Sequence, residues 1–227
     1  MRNILKTGKP ASWGSKKDEK EWAIAMERED VAEKFTAAMD SRGAYLAPAM
    51  AGQIDYKECK TLLDIAGGSG IYACAAVAQN ENIRASVFEK PPVDKAAQFS
   101  IEKKGMSDKV SVVAGDMFKK LPSGHDIHLI SNALHDWGES AVKTILKNSF
   151  QALPPGGMIV IHDAHINEDK TGPLPVAEFS VLLMYATEGK CYSVSEINAM
   201  LKSVGFIDTK FIPTTASRSI ITAKKPV

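Results

Sequence analysis

The glycines that follow residues 61–65 are the first residues whose types and spacing indicate chemistry. Thr61–Ile65 (TLLDI) is typical of a buried parallel strand, and Gly67, Gly68 and Gly70 predict a turn tight enough for backbone amides to contact a ligand. The alanine-rich stretch Ile71–Gln79 predicts a helix whose N-terminus points into that turn. Strand, turn and helix together predict a nucleotide-type cofactor site at the carboxyl end of the first strand of a sheet.

The turn alone leaves the identity of the cofactor open. Residues 68–73 (GSGIYA) also fit the dinucleotide pattern G-x-G-x-x-A, and Glu89 lies 19 residues beyond Gly70, near the place of a ribose-binding acid. The pattern therefore fits a nicotinamide cofactor as well as S-adenosylmethionine (SAM). A turn that only packs a helix on a strand is the alternative without any ligand.

The balance of charged and apolar residues excludes some partners. The chain has 227 residues, of which 44% are hydrophobic and 24% charged, which suits one large α/β domain with an appendage. Its 28 basic and 27 acidic side chains nearly cancel. Because no net field attracts phosphate or anionic lipid, we expect neither a nucleic-acid nor a membrane partner.

Cysteine content and hydropathy indicate a cytoplasmic location. Cys59, Cys74 and Cys191 are odd in number and widely spaced, which argues against a disulfide framework. No apolar run approaches the roughly 20 residues of a membrane span. Residues 1–20 are polar and lysine-rich and lack the apolar core of a signal peptide, so they predict a flexible basic arm.

Two segments follow this arm. Residues 21–55 predict an N-terminal helical lid segment, with one helix from Glu21 and a second, shorter helix from Tyr45 to Gln53. Residues 56–227 predict a cofactor-binding domain that starts with the strand and glycine turn described above.

This domain is predicted to be an α/β domain with a doubly wound sheet. After the first strand, four more strand patterns alternate with helix patterns: Arg84–Glu89, Val110–Ala114, Asp126–Ser131 and Met158–His162. The last two strands, Phe206–Pro213 and Arg218–Ala223, are separated by only four residues, so they must form an antiparallel hairpin. The prediction is a seven-stranded, mostly parallel sheet that ends in an antiparallel hairpin, with helices on both faces.

Five motifs in this order give the chain a family resemblance. They are DIAGGSG at residues 64–70, VFEKPP at 87–92, GDMF at 115–118, LHDW at 134–137 and LPPGGMIVIHDA at 153–164. With them, the chain resembles the catalytic domain of the class I SAM-dependent small-molecule O-methyltransferases, of the plant phenolic and bacterial hydroxyl-methylating type. The resemblance extends from about Glu21 to Lys225, and it implies a Rossmann-like fold, SAM as cofactor and a SAM-binding catalytic domain at residues 56–227.

The resemblance also implies cofactor contacts after the first four strands. The glycines would lie against the methionine part of SAM, and Glu89 would bind the ribose hydroxyls, since a carboxylate can accept two hydrogen bonds from a vicinal diol. Residues after the third and fourth strands would surround the adenine, although Met117 is equally typical of ordinary core and Ser131 stands where plant members have a lysine. The implied cofactor residues are Gly67, Gly68, Gly70, Glu89, Asp116, Met117, Ser131 and Asn132.

His135 corresponds to the general base of the family. The resemblance places Asp163 and Glu196 as the two acids that orient it, and a carboxylate partner fixes the tautomer of an imidazole and raises its basicity. An imidazole with a pKa of about 6.5 can take the proton of a phenol, whose pKa is about 10, more easily than that of an aliphatic alcohol, whose pKa is much higher. The expected methyl acceptor is therefore a small molecule with a phenolic or enolic hydroxyl.

The acceptor wall is expected from the lid segment and from the region after the fifth strand. Phe35, Met39 and Met184 match residues that sandwich a flat acceptor in the family, although a Phe and Met stripe at helical spacing is also typical of plain core. Asp136 either holds the acceptor or caps the helix that follows.

Other functions and partners stay open at this point. The family carries a separate N-terminal dimerisation domain of about 100 residues, for which this chain is too short, so a homodimer would need another route. A SAM-binding protein without turnover and a nicotinamide-dependent oxidoreductase are the alternative functions. No metal is expected, because the neighbouring histidines in residues 125–128 and 162–165 point to opposite faces of their strands.

Overall fold

A seven-stranded sheet organises the part of the protein that the computed structural model describes, residues 2–7 and 28–227. The strands are β1 (Thr61–Ile65), β2 (Arg84–Glu89), β3 (Val110–Ala114), β4 (Ile127–Ser131), β5 (Met158–Asp163), β6 (Ile207–Pro213) and β7 (Ser219–Lys224). Their order across the sheet is β3-β2-β1-β4-β5-β7-β6. The first five strands run parallel, and β7 pairs antiparallel with both β5 and β6. The predicted mostly parallel sheet with a closing hairpin is therefore confirmed.

Helices cover both faces of the sheet, as predicted. The helices are α1 (Arg2–Thr7), α2 (Glu29–Ala51), α3 (Ile71–Gln79), α4 (Val93–Lys103), α5 (Glu139–Ala152), α6 (Leu174–Ala186) and α7 (Val194–Ser203). Residues of α2, α3 and α4 share one buried apolar cluster with the sheet, whereas residues of α5 and α7 share another. Helix α6 packs separately, on a small cluster that follows β5.

The central strands are apolar along their whole length because both of their faces are covered. Leu62 and Leu63 are neighbours in β1 and both are fully buried, yet Leu62 belongs to the cluster under α3 and Leu63 to the cluster under α5. Successive side chains of a strand point to opposite faces, so a strand buried on both sides needs a continuous apolar run. This run ends at the glycine turn after β1.

The N-terminal region differs from the prediction in two ways. Arg2–Thr7 forms a helix in which Ile4 is buried, so the expectation of a flexible arm is wrong for these six residues. Residues 8–20 of that arm and residues 21–27 of the lid segment lie outside the described residues. The two helices expected in the lid segment form one continuous helix, α2, which runs through Pro48 near its end.

Helix α2 also reaches the glycine turn. The Asp40 carboxylate accepts a hydrogen bond from the Ser69 hydroxyl in that turn, and it forms an ion pair with Lys104 Nζ at 3.0 Å. The same helix supplies apolar side chains on an adjacent face. Specific polar contacts of Asp40 thus hold α2 and the glycine turn together.

Candidate active site

A cavity of about 510 Å³ opens at the carboxyl ends of the parallel strands. One end of this cavity, here called the cofactor end, is lined by the turns after β1, β2, β3 and β4. The other end, here called the acceptor end, is lined by α2, α6 and the turn that holds residues 134–137. Parallel strands place all of their carboxyl ends at one sheet edge, which is why residues distant in sequence meet here.

The glycine turn has two different functions. Gly67 and Gly68 line the cavity, and a side chain on Gly67 would clash, because its Cβ would lie 2.6 Å from Asp64 Cγ. Gly68 has φ +57°, and a Cβ there would meet no protein atom within 4 Å. Gly70 does not line the cavity; its Cβ would lie 2.9 Å from Val87 Cγ2, so this glycine lets α3 pack closely on the sheet. The expected contact of Gly70 with the cofactor is replaced by a packing role.

Glu89 lies at the end of β2 with its carboxylate beside the glycine turn. The backbone N–H of Gly68 donates to Glu89 Oε2 at 3.0 Å, and that of Lys90 donates to Oε1 at 2.8 Å. Burial raises the pKa of this carboxyl above its ordinary value. Two backbone donors fix the carboxylate at the cavity wall, where it can accept further hydrogen bonds from a diol.

Asp116 and Met117 line the cavity after β3, as the resemblance implies. The Asp116 carboxylate accepts a hydrogen bond from the Phe118 N–H at 2.9 Å, and the Met117 carbonyl accepts one from the Asn148 amide at 3.0 Å. These contacts hold the turn in place. Asp116 and Met117 therefore line the cavity at the same sheet edge as Glu89.

Ser131 and Asn132 line the cavity after β4 and belong to one polar network. The Asn132 amide nitrogen donates to the Tyr72 hydroxyl at 2.9 Å, and its oxygen accepts from Arg218 Nε at 3.1 Å. The Ser131 hydroxyl bonds His162 Nδ1 at 2.9 Å. Tyr72 also lines the cavity and was missed by the sequence analysis, because a tyrosine in an apolar helix pattern is typical of core.

His135 and Asp163 form the closest charged contact of the site. His135 lies in a short 3₁₀ turn, Leu134–Asp136, and Asp163 ends the neighbouring strand β5. His135 Nδ1 lies 2.6 Å from Asp163 Oδ1, and the Ala164 N–H donates to the same oxygen at 2.7 Å. With its proton on Nδ1, the imidazole keeps Nε2 as the nitrogen that can accept a proton from a ligand.

His135 and Asp163 shift each other's pKa toward the charged form of both groups. Burial by itself lowers the pKa of His135, but the charge and hydrogen bond of Asp163 outweigh burial and raise the pKa above its ordinary value. Burial raises the pKa of Asp163, but the nearby His135 outweighs it, and the pKa falls to about 2. Asp163 thus stays ionised across the physiological range and stabilises a protonated His135.

Asp136 faces the cavity beside this pair. Its Oδ1 lies 3.7 Å from His135 Nε2, and burial raises the pKa of its carboxyl. Gly138 occupies the N-cap position of α5, and no side chain caps that helix. Of the two roles expected for Asp136, the structure places it where it could meet an acceptor and not where it could cap α5.

Glu196 does not meet His135. Its carboxylate accepts a hydrogen bond from the Ser193 N–H at 2.7 Å, in a capping box at the start of α7. The same carboxylate forms ion pairs with Lys170 at 2.5 Å and Lys190 at 2.6 Å. These contacts keep Glu196 out of the cavity lining, so we remove it from the catalytic set. The sequence pattern of a capping box, Ser193-x-x-Glu196, is the signal that explains this placement.

Apolar side chains dominate the acceptor end. Phe35 and Met39 line it from α2, whereas Met184 is not part of the lining. Helix α6 instead presents residues spaced three and four apart, namely Phe179, Leu182, Leu183 and Ala186. Met184 lies one residue beyond Leu183, about 100° further round the helix, and so belongs to another face. The ring of Phe179 also packs edge-on against His135, at 5.0 Å between ring centroids.

The other four histidines form hydrogen bonds with serine hydroxyls. His125 meets Ser86 at 3.2 Å, and His128 meets Ser149 at 2.9 Å. His162 meets Ser131, and His165 meets Ser219 at 2.6 Å. Among residues 2–7 and 28–227, no three His, Cys, Asp or Glu side chains are grouped so that they could hold a metal ion.

None of the helices within residues 2–7 and 28–227 combines the length and apolar character that crossing a membrane requires.

The sheet order, the closing hairpin and the site at the carboxyl edge define a class I methyltransferase fold. The chain belongs to the O-methyltransferase domain family, whose model matches residues 4–207. This family is the one implied by the five sequence motifs, so the resemblance is confirmed.

Two bacterial relatives illustrate the match. A 3-hydroxy-5-methyl-1-naphthoate 3-O-methyltransferase of Streptomyces sahachiroi is 30% identical over 181 residues, which cover 79% of this chain and 52% of the relative. A mitomycin biosynthesis 6-O-methyltransferase of Streptomyces lavendulae is 29% identical and covers 86% of this chain and 55% of its own length. The chain spans about half the length of these curated relatives.

Solved structures agree on the fold. An O-methyltransferase family 2 protein from Planctomyces limnophilus, in complex with apigenin, has a TM-score of 0.78 and 33% identity and covers 87% of this chain and 62% of that chain. Human N-acetylserotonin methyltransferase, in complex with SAM, has a TM-score of 0.90 over 100% of this chain and 65% of that chain. Its identity of 24% supports the fold alone.

Proposed function

We propose that this protein transfers a methyl group from SAM to an acidic hydroxyl, phenolic or enolic, of a small molecule. The observation that carries the proposal is the buried His135–Asp163 pair at 2.6 Å, in a cavity that also contains the glycine turn and Glu89. Family membership supports the reaction class. The names of the two Streptomyces relatives, a naphthoate and a mitomycin O-methyltransferase, support a cyclic small-molecule acceptor.

The cofactor end has the features that SAM requires. Gly67 and Gly68 expose backbone at the cavity, and the fixed carboxylate of Glu89 suits the ribose diol. Asp116, Met117, Ser131 and Asn132 line the adjoining wall, where we place the adenine. A cavity of about 510 Å³ lies in the range that holds cofactors and small ligands. When bound, SAM supplies an electrophilic methyl group on a sulfonium sulfur.

His135 would act as the general base. Asp163 holds the Nδ1 proton, so Nε2 would be free to take the proton of the acceptor hydroxyl. The acceptor oxygen would gain the methyl group as the methyl–sulfur bond breaks and SAH is left as the product. The ionised Asp163 then stabilises the imidazolium. A phenol of pKa about 10 lies some 3.5 units above an ordinary imidazole, and the raised pKa of His135 narrows that gap. An alcohol with a pKa near the 15.7 of water stays roughly 9 units away, which disfavours it.

The acceptor end would sandwich a flat ring. Phe35 and Met39 of α2 and Phe179 of α6 line the same cavity, and Asp136 could accept a hydrogen bond from a second polar group of the acceptor. In this arrangement residues 29–51 form the described part of a lid over the catalytic domain, residues 56–227. Burial of both reactants in one cavity supplies proximity and excludes water.

A SAM-binding protein without turnover is the alternative. The His135–Asp163 geometry argues against it, since a binding module has no need of an oriented imidazole. Calorimetric titration with SAM, S-adenosylhomocysteine (SAH) and NAD tests the cofactor: SAM and SAH should bind and NAD should not. A panel of phenols and enols, incubated with methyl-labelled SAM, tests turnover by mass spectrometry. Binding of SAM without label transfer to any acceptor would support the alternative, and binding of NAD instead would support an oxidoreductase.

We also propose that the chain associates as a homodimer and resides in the cytoplasm. Helix α6 exposes Val181, Leu182 and Tyr185, with 42%, 61% and 37% of their surface accessible, and such a patch favours association. The three cysteines are free, which suits a reducing compartment. Sedimentation velocity of the purified chain tests the dimer, and a Val181→Glu variant should shift it toward the monomer, because Val181 is exposed on α6 and does not line the cavity.

A further inference from the structure

Arg42 is a charged side chain in a wall that is otherwise mostly apolar. It lies on α2, one helical turn after Met39, and it lines the cavity. Its Nε is buried and has no hydrogen-bond partner among the described residues. Its Nη2 meets the sulfur of Met39 at 3.3 Å, and a thioether is a weak acceptor. An arginine in such a position has most of its hydrogen-bonding capacity unused.

The charged groups around Arg42 do not neutralise it. In the described part of the chain, no carboxylate pairs with Arg42 within 4.0 Å. Asp136 lies in the same cavity, but its nearest charged neighbour is His135, at 3.7 Å. Arg218 adds a second positive group nearby; its Nε is occupied by Asn132, and its guanidinium stacks on Phe179 at 5.1 Å. Arg218 is not part of the cavity lining, so Arg42 is the arginine that the described residues present to a ligand at the acceptor end.

Arg42 also lies close enough to the catalytic pair for its charge to act on it. The positive charge of Arg42 lowers the pKa of His135, in the same direction as burial and opposite to the larger effect of Asp163. It also lowers the pKa of Asp136, opposite to the larger effect of burial. Both side chains line the cavity together with Arg42 and Thr36. One small molecule can therefore contact Arg42 with one of its groups and present its hydroxyl to His135 with another.

We propose that Arg42 binds a carboxylate of the methyl acceptor, so that the preferred acceptor is a hydroxyl-bearing aromatic acid. The proposal rests on the proposed methyl transfer and specifies its substrate class. A guanidinium binds a carboxylate through two parallel N–H···O bonds, which orient a planar ring as well as attract it. A partly buried guanidinium without a partner costs free energy. An anionic acceptor removes this cost when it binds and a neutral acceptor does not, so the anionic acceptor should bind more tightly.

The experiment compares pairs of acceptors that differ only in this charge. Hydroxynaphthoate isomers and their methyl esters are assayed with the wild-type chain, Arg42→Gln and Arg42→Lys. We expect the wild type to favour the acid, and Arg42→Gln to reduce the acid-to-ester ratio of kcat/KM by about ten- to a hundredfold, the range of a hydrogen-bonded charge pair. Arg42→Lys should recover part of this ratio, because it keeps the charge but loses the planar fork.

Lys34→Gln is the matched control. Lys34 lies on the same helix, is exposed and is not part of the cavity lining, so removal of its charge should leave the ratio as in the wild type. An equal loss on acid and ester in Arg42→Gln would overturn the proposal. A loss of SAH affinity in Arg42→Gln would also overturn it, because the arginine would then hold the carboxylate of the cofactor.

A binding assay separates this proposal from the proposed reaction. Hydroxynaphthoate is titrated calorimetrically into the SAH complex of the wild type and of Arg42→Gln. If no acceptor is methylated, the reaction fails, but an acid that binds the wild type about ten- to a hundredfold more tightly than the variant still supports Arg42 as the anion site. Equal affinities for wild type and variant would refute it.

Discussion

The two ends of the cavity are built in different ways. At the cofactor end, Glu89 is fixed by backbone N–H groups and Gly67 leaves no room for a side chain. At the acceptor end, α2 and α6 contribute side chains such as Met39 and Leu182, and Leu182 is 61% exposed. A site built from backbone groups at strand ends changes little when single residues are substituted, which suits a cofactor that is always the same. Side chains on helices can be substituted one at a time, which suits an acceptor that can differ. The comparison predicts that substitutions at the cofactor end change mainly the binding of SAM, whereas substitutions at the acceptor end change mainly the binding and turnover of the acceptor.

The strongest test of this division is the loss of the base. His135→Ala should reduce kcat by about a hundred- to ten-thousandfold, the usual contribution of a general base. SAH affinity should change less than about twofold, because His135 bonds Asp163 and is separate from the glycine turn. Single-turnover kinetics and calorimetry measure the two quantities. A parallel loss of both would mean that His135 supports the whole cavity and is not the base.

Loss of the ribose partner should act on the opposite end. Glu89→Ala should weaken SAM binding by about ten- to a hundredfold, the worth of hydrogen bonds to a charged group. With saturating SAM, the KM for the acceptor should stay near the wild-type value. Calorimetry with SAM and steady-state kinetics measure these effects. Unchanged SAM affinity in this variant would contradict the placement of the ribose.

The pH dependence tests the coupling within the catalytic pair. His135 must be neutral to accept a proton, so kcat/KM should rise up to tenfold per pH unit and level off above its raised pKa. Asp163→Asn removes the charge that raises this pKa, so the midpoint should move to lower pH while the plateau falls. A midpoint that does not move would show that another group controls the profile.

The same pair should leave a signature in stability. A raised pKa of His135 contributes stability that is complete below about pH 6.5 and is lost as pH rises through the folded value. The pKa of Asp163, lowered to about 2, contributes stability above its ordinary 3.8 that is lost as pH falls toward 2. Urea unfolding of wild type and Asp163→Asn across this range measures both effects. A constant difference between the two proteins would contradict the assigned shifts.

A smaller effect is expected from the acceptor wall. Phe179→Ala removes an aromatic contact with His135 and the stacking partner of Arg218, so the KM for the acceptor should rise by about two- to tenfold. SAM affinity should be unaffected. A change in SAM affinity larger than that in acceptor KM would remove the distinction between the two ends.

The smallest effect is expected at Glu196. Glu196→Gln should lower the free energy of unfolding by no more than about 1 kcal/mol, through a weaker helix cap and the loss of partly exposed ion pairs. Kinetic constants should stay within about twofold of the wild type. A hundredfold loss of kcat would return Glu196 to the catalytic set.

The difference between the two ends of the cavity also explains which features could be predicted from the sequence. The strands, the closing hairpin and the positions of Glu89 and His135 after their strands were predictable, because buried strands, glycine turns and the residues that follow strands have local patterns. The order of the strands across the sheet was not predicted. Glu196 belongs to a capping box whose local pattern, Ser193-x-x-Glu196, is present in the sequence. Met184 lies outside the cavity lining because the rotation of α6 about its axis depends on neighbours distant in sequence. Arg42 and Tyr72 carried no motif, and only the packing of α2 and α3 brings them to the cavity.

Helix α2 has a consequence for the order of events during turnover. Its Asp40 bonds the glycine turn through Ser69, while Phe35 and Met39 on the same helix line the acceptor end. A ligand that orders the glycine turn therefore also positions these two side chains. Initial-velocity kinetics should accordingly show a compulsory ordered mechanism, in which the sulfonium donor binds first and its demethylated product leaves last.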